Sequence, residues 1–440
     1  MSAATPLPSC LRIEADARDI HRAAIAAVDP LPVVRAALVF ASVPPGARVF
    51  LIALGKAAHA MAQAAVESLQ SRGMEPAAGL VVSHVDAPTP HPRVDVRVGD
   101  HPVPGDRSAA AAERLGDLVR QVSPTDVVWV MLSGGTSSLI GAPVATLTMA
   151  EFGELNALLL GSGLDIAQVN VIRKRVSRWG AGRLARALEP AVVRALVISD
   201  VPDDDVAAIA SGPLSPDPNT VDDVTGLLKD AQLWTRVPPA VRDLLARDET
   251  VETPKRDDPA FRHVTIGIVA SNETAVRAAM ARAAELGYAT ERATTALDAE
   301  AAEVGDALAV ELLALAREAG PRCRVRGGEP VVSLGDASPN ARGGRSQELA
   351  LAAARRLAGA DGRRTMALLA AGTDGRDGPT DAAGALVTPR TWPAVAEARR
   401  DPAHDLAAHD AYRALEAAGA LLRTGPTGTN VMDIAVLLVR

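Results

Sequence analysis

The sequence predicts an α/β protein in two domains, and three observations carry that prediction. Short Val/Ile-rich runs alternate with longer Ala/Leu/Arg stretches, the pattern of strands and helices taking turns. A charged stretch, "ARDETVETPKRDDPAFR" (246–262), has two prolines and no apolar periodicity, so it reads as a boundary. Apolar residues make up 48% of the 440, enough to fill sizeable cores, and at roughly 100 to 200 residues per domain the length suits two or three domains.

The strand candidates of the first domain are "RVFLIAL" (48–54), "AGLVVS" (78–83), "VDVRVG" (94–99), "DVVWVML" (126–132) and "RALVISDV" (194–201). Each is short and is followed by Gly, Ser, Asp or Pro, which stop strands. Helical stretches over 56–72, 106–122 and 150–162 lie between several of them. That alternation predicts a parallel sheet with helices on both faces, whose functional loops lie beyond the carboxyl ends of the strands. The expected division is a first domain over 1–250, a linker over 251–262 and a smaller α/β domain over 263–440. The second domain reads as "VTIGIVAS" (264–271), a helical region over 272–319, "CRVRGGEPVVSLG" (323–335), a helix near 346–358, "TMALLAAGTDG" (365–375) and a final strand "DIAVLLV" (433–439).

Several classes are argued against at once. A net charge of −7 does not suit a broad nucleic-acid footprint. Two cysteines, Cys10 and Cys323, cannot make a disulfide framework. The opening "MSAATPLPSC" lacks the basic start and apolar core of a signal peptide, and no apolar run reaches the ~18 residues a bilayer span needs. The expectation is a cytoplasmic enzyme acting on small molecules, with no membrane and no nucleic-acid partner.

One residue-type oddity points to chemistry. Of 46 basic residues only Lys56, Lys174, Lys229 and Lys255 are lysines. Lys56 stands between the strand ending at 54 and the helix after it, in "ALGKAAHAMA" (53–62), where α/β sites form. Five Gly-rich loops add to it, the polar "TGPTGTN" (424–430) before the last strand among them. "MLSGGTSSLIGAP" (131–143) offers backbone N–H groups and the hydroxyls of Ser133, Thr136, Ser137 and Ser138 to an anion, although an ordinary Gly-rich turn fits as well. It is not a Walker A loop, because no Gly-Lys-Ser/Thr closes it. "SDVPDDDVAAIASGP" (199–213) places Asp200 nearest a strand end, a carboxylate suited to Mg2+ or to capping. "GGEPVVSLGDASPNARGGRSQELALAAA" (327–354) offers Glu329 and then Arg345, a bidentate partner for phosphate or carboxylate. "AAGTDGRDGPTDAAGA" (370–385) holds Asp374, Asp377 and Asp381. One motif pulls the other way. "GAGRLA" (180–185) fits the dinucleotide pattern G-x-G-x-x-G/A, with Asp200 about the right distance on. The segment before it, "NVIRKRVSRW" (170–179), is too basic for the buried strand that pattern requires.

With these loops assembled, the chain resembles the bacterial glycerate 2-kinases of the MOFRL family, whose members are often labelled hydroxypyruvate reductase. The resemblance runs through "GKAAHAMA" (55–62), "DHPVPGD" (100–106), "LSGGTSSL" (132–139), "NVIRKRVSRWGAGRLA" (170–185), "SDVPDDD" (199–205), "SGPLSPD" (211–217), "RGGEPVVSLG" (326–335), "GGRSQELAL" (343–351), "GTDGRDGPTDAAGA" (372–385) and "TGPTGTNVMD" (424–433). It implies a larger Rossmann-like N-terminal domain, a smaller C-terminal α/β domain with the MOFRL region at about 323–435, and an active site in the cleft between them. It implies transfer of the ATP γ-phosphoryl group to the 2-hydroxyl of D-glycerate with Mg2+, and Lys56 and Arg345 on different domains predict closure before chemistry. A homodimer is compatible with it. The catalytic residues it implies are Lys56 and Arg345. The binding residues it implies are Gly55, Ser133, Gly134, Gly135, Ser137, Asn170, Arg173, Asp200, Glu329, Gly343, Gly344, Thr373 and Asp374, with Asp200, Glu329 and Asp374 as candidates for Mg2+. The chain departs from the usual pattern at Thr136, Asp203, Ser346 and the segment Trp179-Gly180-Ala181. Those departures bear on the exact acid, so a kinase for a related 2-hydroxy acid is one alternative. An NAD(P)H-dependent hydroxypyruvate reductase is the other.

Overall fold

The computed structural model describes residues 9–144, 146–247, 252–292, 296–335, 340–360 and 362–440. The opening segment 1–8, residues 248–251 of the charged stretch and residues 336–339 ahead of Arg345 lie outside the described residues. The chain divides into two compact units, Pro30–Val269 and Met1–Asp29 with Ala270–Arg440.

The Pro30–Val269 unit is built on a six-stranded sheet. Its strands are β1 Val49–Leu54, β2 Ala78–Ser83, β3 Val94–Val98, β4 Val127–Leu132, β5 Val192–Ile198 and β6 Val264–Ala270. The order β3-β2-β1-β4-β5-β6 is that of a doubly wound sheet, and the pairings among β1 to β5 are parallel. β1 and β4 pair from Val49 opposite Val127 to Leu54 opposite Leu132 and are buried along their whole length. Such strands need the unbroken runs "VFLIAL" and "VVWVML" because helices cover both faces. The strand order reverses between β1 and β4, and ligands of open α/β sheets sit at that reversal. Gly55 and Lys56 leave β1 there, and the serine loop 133–138 leaves β4.

The other unit carries β7 Ala289–Arg292, β8 Arg322–Gly328, β9 Met366–Gly372, β10 Gly384–Val387, β11 Leu421–Leu422 and β12 Asp433–Val439, ordered β11-β10-β9-β12-β8-β7. This sheet is mixed: β7 and β8 pair in parallel, and the other pairings are antiparallel. Its core packs helices Ala301–Leu315 and Arg345–Leu357 onto the sheet. Gly305 lets them close up, since a Cβ placed there would fall 2.2 Å from the Leu349 carbonyl oxygen. The close packing fixes the helix whose first residue is Arg345.

This division departs from the expected one at both boundaries. The run 264–270 does not open the second sheet; it extends the first one beside β5 as an edge strand. It is half-exposed along its length, as an edge allows. Helix Ser9–Ala26 belongs with the C-terminal residues. Its buried face (Ile13, Ala17, Ile20, Ala24) packs on helix Asn272–Glu285 and on strands β9 and β12. Its Asp16 accepts hydrogen bonds from the Tyr288 hydroxyl at 2.7 Å and from Arg440 Nη1 at 2.7 Å. The helical region expected over 272–319 is two helices, Asn272–Glu285 and Ala301–Leu315, with β7 between them. Among the described residues, no helix is long and apolar enough to cross a membrane.

Candidate active site

In the Pro30–Val269 unit the loops after β1 and β4 are stitched together. Ser133 N donates to the Leu54 carbonyl at 3.0 Å, Lys56 N donates to the Gly134 carbonyl at 2.9 Å, and Ala57 N donates to Ser133 Oγ at 3.0 Å. Gly55 has φ +120, and a Cβ there would lie 2.2 Å from Ser133 Oγ, so only glycine fits this approach. Gly135 has φ +84, and a Cβ there would meet the Cδ2–Nε2 edge of His101 at 3.2 Å and Lys56 Cγ at 3.4 Å. On the other side, a Cβ on Gly134 would fall 1.9 Å from Asp200 Oδ2. Lys56, His101, the two glycines and Asp200 therefore converge beyond the carboxyl ends of β1, β4 and β5. Lys56 is half-buried and has no ion-pair partner among the described residues. A cation without a partner beside a glycine loop is equipped to meet an anion.

The hydroxyls of the loop divide between interior and site. Ser133 and Thr136 are buried, and Thr136 Oγ1 donates to the Ser133 carbonyl at 2.8 Å. Thr136 thus faces inward, and its hydroxyl closes the loop on itself. Ser137 Oγ lies 2.7 Å from Ser211 Oγ. His101 is exposed as a residue, yet partial burial, then Lys56, then His84 hold its imidazole below the ordinary value. Asn170 and Arg173 are half-buried on helix Ile166–Val176, and among the described residues no hydrogen bond joins them to the serine loop. Burial lowers the Arg173 guanidinium below its ordinary value. The same helix answers the dinucleotide question. It precedes Gly180-Ala181-Gly182, so the strand that this fingerprint requires is not there.

In the other unit the centre is Arg345. Its Nε donates to Asp433 Oδ2 at 2.7 Å and its Nη2 to Asp433 Oδ1 at 3.0 Å, a bidentate pair, while Nη1 donates to Glu329 Oε1. Burial works against the guanidinium charge, but Asp433 and Glu329 hold it above its ordinary value. Among the described residues three of the five N–H donors of a guanidinium are used here, so two remain for a ligand. Ser346 Oγ donates to Asp433 Oδ2 at 3.2 Å. Asp377 caps the helix start by accepting from Ser346 N at 3.2 Å and Gln347 N at 2.7 Å. Gly344 permits that capping, since a Cβ there would lie 2.3 Å from the Asp377 carboxylate. Burial first, then the Asp433 charge, push Asp377 up to about 7, against the two amides and Arg345. Burial likewise pushes Asp433 up, against Arg345.

Asp374 Oδ1 accepts from Arg376 N at 2.9 Å, and it shares the space above Gly372 with Asp433. Thr373 is buried, and its hydroxyl is used within the fold, donating to the Met432 carbonyl at 2.7 Å and accepting from Val431 N at 2.8 Å. Gly343 packs beside the His409 carbonyl. Among the described residues no three His, Cys, Asp or Glu side chains gather as a metal cage. Two residues of this arrangement, His101 and Asp433, are absent from the sequence-derived set, and Asp377 stands there in its loop without a role. Asp433 had one visible signal, an ionisable residue opening an otherwise apolar strand.

Residues 16–246 match the family described as "Domain of unknown function (DUF4147)", and residues 322–433 match the MOFRL family. A protein of Agrobacterium vitis, provisionally named hydroxypyruvate reductase, is 38% identical over 430 residues, covering 96% of this chain and 93% of its own. A D-glycerate 2-kinase of Thermotoga maritima is 37% identical over 399 residues, covering 89% of this chain and 91% of its own. A crystal structure of glycerate kinase from Thermotoga maritima superposes with a TM-score of 0.86 at 36% identity, covering 98% of this chain and 100% of that one.

Proposed function

The chain belongs to the family that joins a DUF4147 domain to a MOFRL domain, and on that premise we propose that it is a D-glycerate 2-kinase, moving the γ-phosphoryl group of ATP to the 2-hydroxyl of D-glycerate. The observation that carries the reading is Lys56, without an ion-pair partner among the described residues, beside the Gly134–Gly135 loop at the sheet's reversal point. The names of the Thermotoga relatives support the substrate.

Phosphoryl transfer asks mainly for positioning and charge neutralisation. Lys56 holds the glycerate carboxylate or the transferring phosphate as a compact point charge. Gly134 and Gly135 bring their backbone close to phosphate because neither carries a Cβ, and Ser137 adds a hydroxyl. Arg345 keeps two N–H donors for an anion while Asp433 and Glu329 fix its plane. The fit to Mg2+ rests on charge. Glu329 and Asp433 outweigh Arg345, and Asp200 stands against Gly134, so oxygen donors are in excess at both places. Mg2+ takes one or two carboxylates, waters and substrate phosphates, and it would supply neutralisation of phosphate charge. Asp200 beside the Gly134 loop and Asp374 beside Asp433 would hold it, whereas Glu329 is engaged by Arg345.

The rival reading is the reductase activity named in the Agrobacterium relative. It needs a nicotinamide fingerprint opening from a strand, and the segment that matches the pattern, Gly180-Ala181-Gly182, opens from a helix. The deciding experiment incubates the protein with D-glycerate and Mg·ATP and identifies the product as 2- or 3-phosphoglycerate. Formation of 2-phosphoglycerate is expected. Neither product, with NADH oxidised on hydroxypyruvate, would overturn the reading.

A further inference from the structure

The segment "DHPVPGD" (100–106) has no role in the proposed function, yet it is built tightly against the serine loop. A Cβ on Gly99 would fall 2.3 Å from the Leu139 carbonyl oxygen. Ser138 Oγ donates to the Pro102 carbonyl at 2.6 Å. A Cβ on Gly141 would fall 2.6 Å from Pro104 Cβ. The segment's start is held as well, because Asp100 accepts from Arg107 N at 3.0 Å and donates its own N–H to Ser108 Oγ at 2.9 Å. So rigid a mounting serves to present one side chain. The Cδ2–Nε2 edge of His101 lies over Gly135 beside the Lys56 stem. Among the described residues, no hydrogen bond or ion pair occupies the ring.

We propose that His101 is a further catalytic residue, its imidazole touching the acceptor hydroxyl at the serine loop and taking its proton as the phosphoryl group arrives. The inference rests on the glycerate-kinase reading. In the step, the acceptor O–H bond breaks toward the imidazole nitrogen, and the hydroxyl oxygen bonds to the γ-phosphorus. The bond from that phosphorus to the β,γ-bridging oxygen breaks, and its electron pair leaves with ADP. The imidazolium then releases the proton to water, to which the residue is open. A base must be unprotonated at working pH. Partial burial, Lys56 from the end of β1 and His84 from the end of β2 all favour the neutral ring. His84 is 6.3 Å away between centroids. The other charged groups near it are Asp100, Asp106 and Arg107 of its own segment and Asp200 against Gly134.

The test is kcat and KM for D-glycerate from pH 5 to 8.5 in wild type and His101→Gln. The wild type should lose kcat/KM as pH falls and the ring is protonated. His101→Gln should lose that acid limb, with kcat down at least a hundredfold, about what a positioned base contributes, and KM little changed. A second readout does not depend on the variant folding. The His101 imidazole resonance of the wild type should titrate at higher pH when 2-phosphoglycerate is added. Wild-type kcat in His101→Gln, a retained acid limb, or a resonance indifferent to 2-phosphoglycerate would each overturn the role. A wild-type protein that makes no phosphoglycerate would sink the kinase reading itself, whereas an active wild type matched by His101→Gln would sink only His101.

Discussion

Arg345→Ala should separate two things that this side chain does. Asp433 is 2% exposed, and Arg345 is its bidentate partner. Removing the guanidinium leaves a buried carboxylate without its cation, and breaking such a pair costs roughly 3–5 kcal/mol. The Arg345 side chain is 32% exposed, so solvent reaches the pair and the low end, about 3 kcal/mol, is expected. In a unit of this size that lowers the unfolding midpoint by roughly 6–12 °C. Asp433 can escape part of the cost by taking up a proton, so the loss should be larger at pH 8 than at pH 5. The double variant Arg345→Ala/Asp433→Asn removes the stranded charge. It should regain most of the midpoint while staying inactive. Scanning calorimetry at both pH values, run beside the phosphoglycerate assay, measures all of this. If Arg345→Ala melts within a degree or two of wild type at pH 8, Arg345 is not the counter-ion, and the argument fails.

Lys56→Arg should keep the fold but lower turnover on the order of a hundredfold, the scale of one lost transition-state donor; full activity in the coupled assay would reduce Lys56 to a helix-start cation. Gly135→Ala places a Cβ at φ +84, against the His101 edge and the Lys56 stem. Urea melts should show about 1–2 kcal/mol lost to the left-handed backbone, and turnover should fall with it; an unchanged kcat would mean that the cradle is not used. Asp377 supplies a pH signature. Its carboxyl is raised from 3.8 to about 7, so the folded chain keeps a proton that the unfolded chain releases. The stability it contributes is complete below about pH 4 and is lost as pH rises through 7, by about 1.4 kcal/mol per unit at most. Asp377→Asn should flatten the slope of stability between pH 5 and 8 in paired melts, and parallel slopes would reject the assignment.

The first sheet was legible because its inner strands must be apolar on both faces. β1, β2 and β4 are unbroken runs at the expected places. β6 was legible as a strand but not as a neighbour of β5, since pairing across the charged stretch leaves no mark in either segment. β7, β10 and β11 are four, four and two residues long, too short for period-two alternation to register. Lys56 stood out by usage and Arg345 by its two preceding glycines. What the sequence could not rank is carboxylates. Asp374, Asp377 and Asp381 sit within eight residues of one another in one Gly-rich loop, yet only Asp377 is buried and caps a helix. His101 is a lone imidazole among prolines in sequence, and its meaning comes entirely from Gly135 and Lys56, distant along the chain.

The grouping of Met1–Asp29 with Ala270–Arg440 has a consequence for biosynthesis. Residues 30–269 form an uninterrupted stretch and can fold while still attached to the ribosome. Helix Ser9–Ala26 leaves the exit tunnel early but packs on β9, β12 and helix Asn272–Glu285. At roughly 5–20 residues per second, it waits tens of seconds for those partners, with Ile13, Ile20 and their neighbours uncovered. Its arginines, Arg12, Arg18 and Arg22, are then more than surface decoration. They put positive charge on the helix whose Asp16 is later met by Arg440.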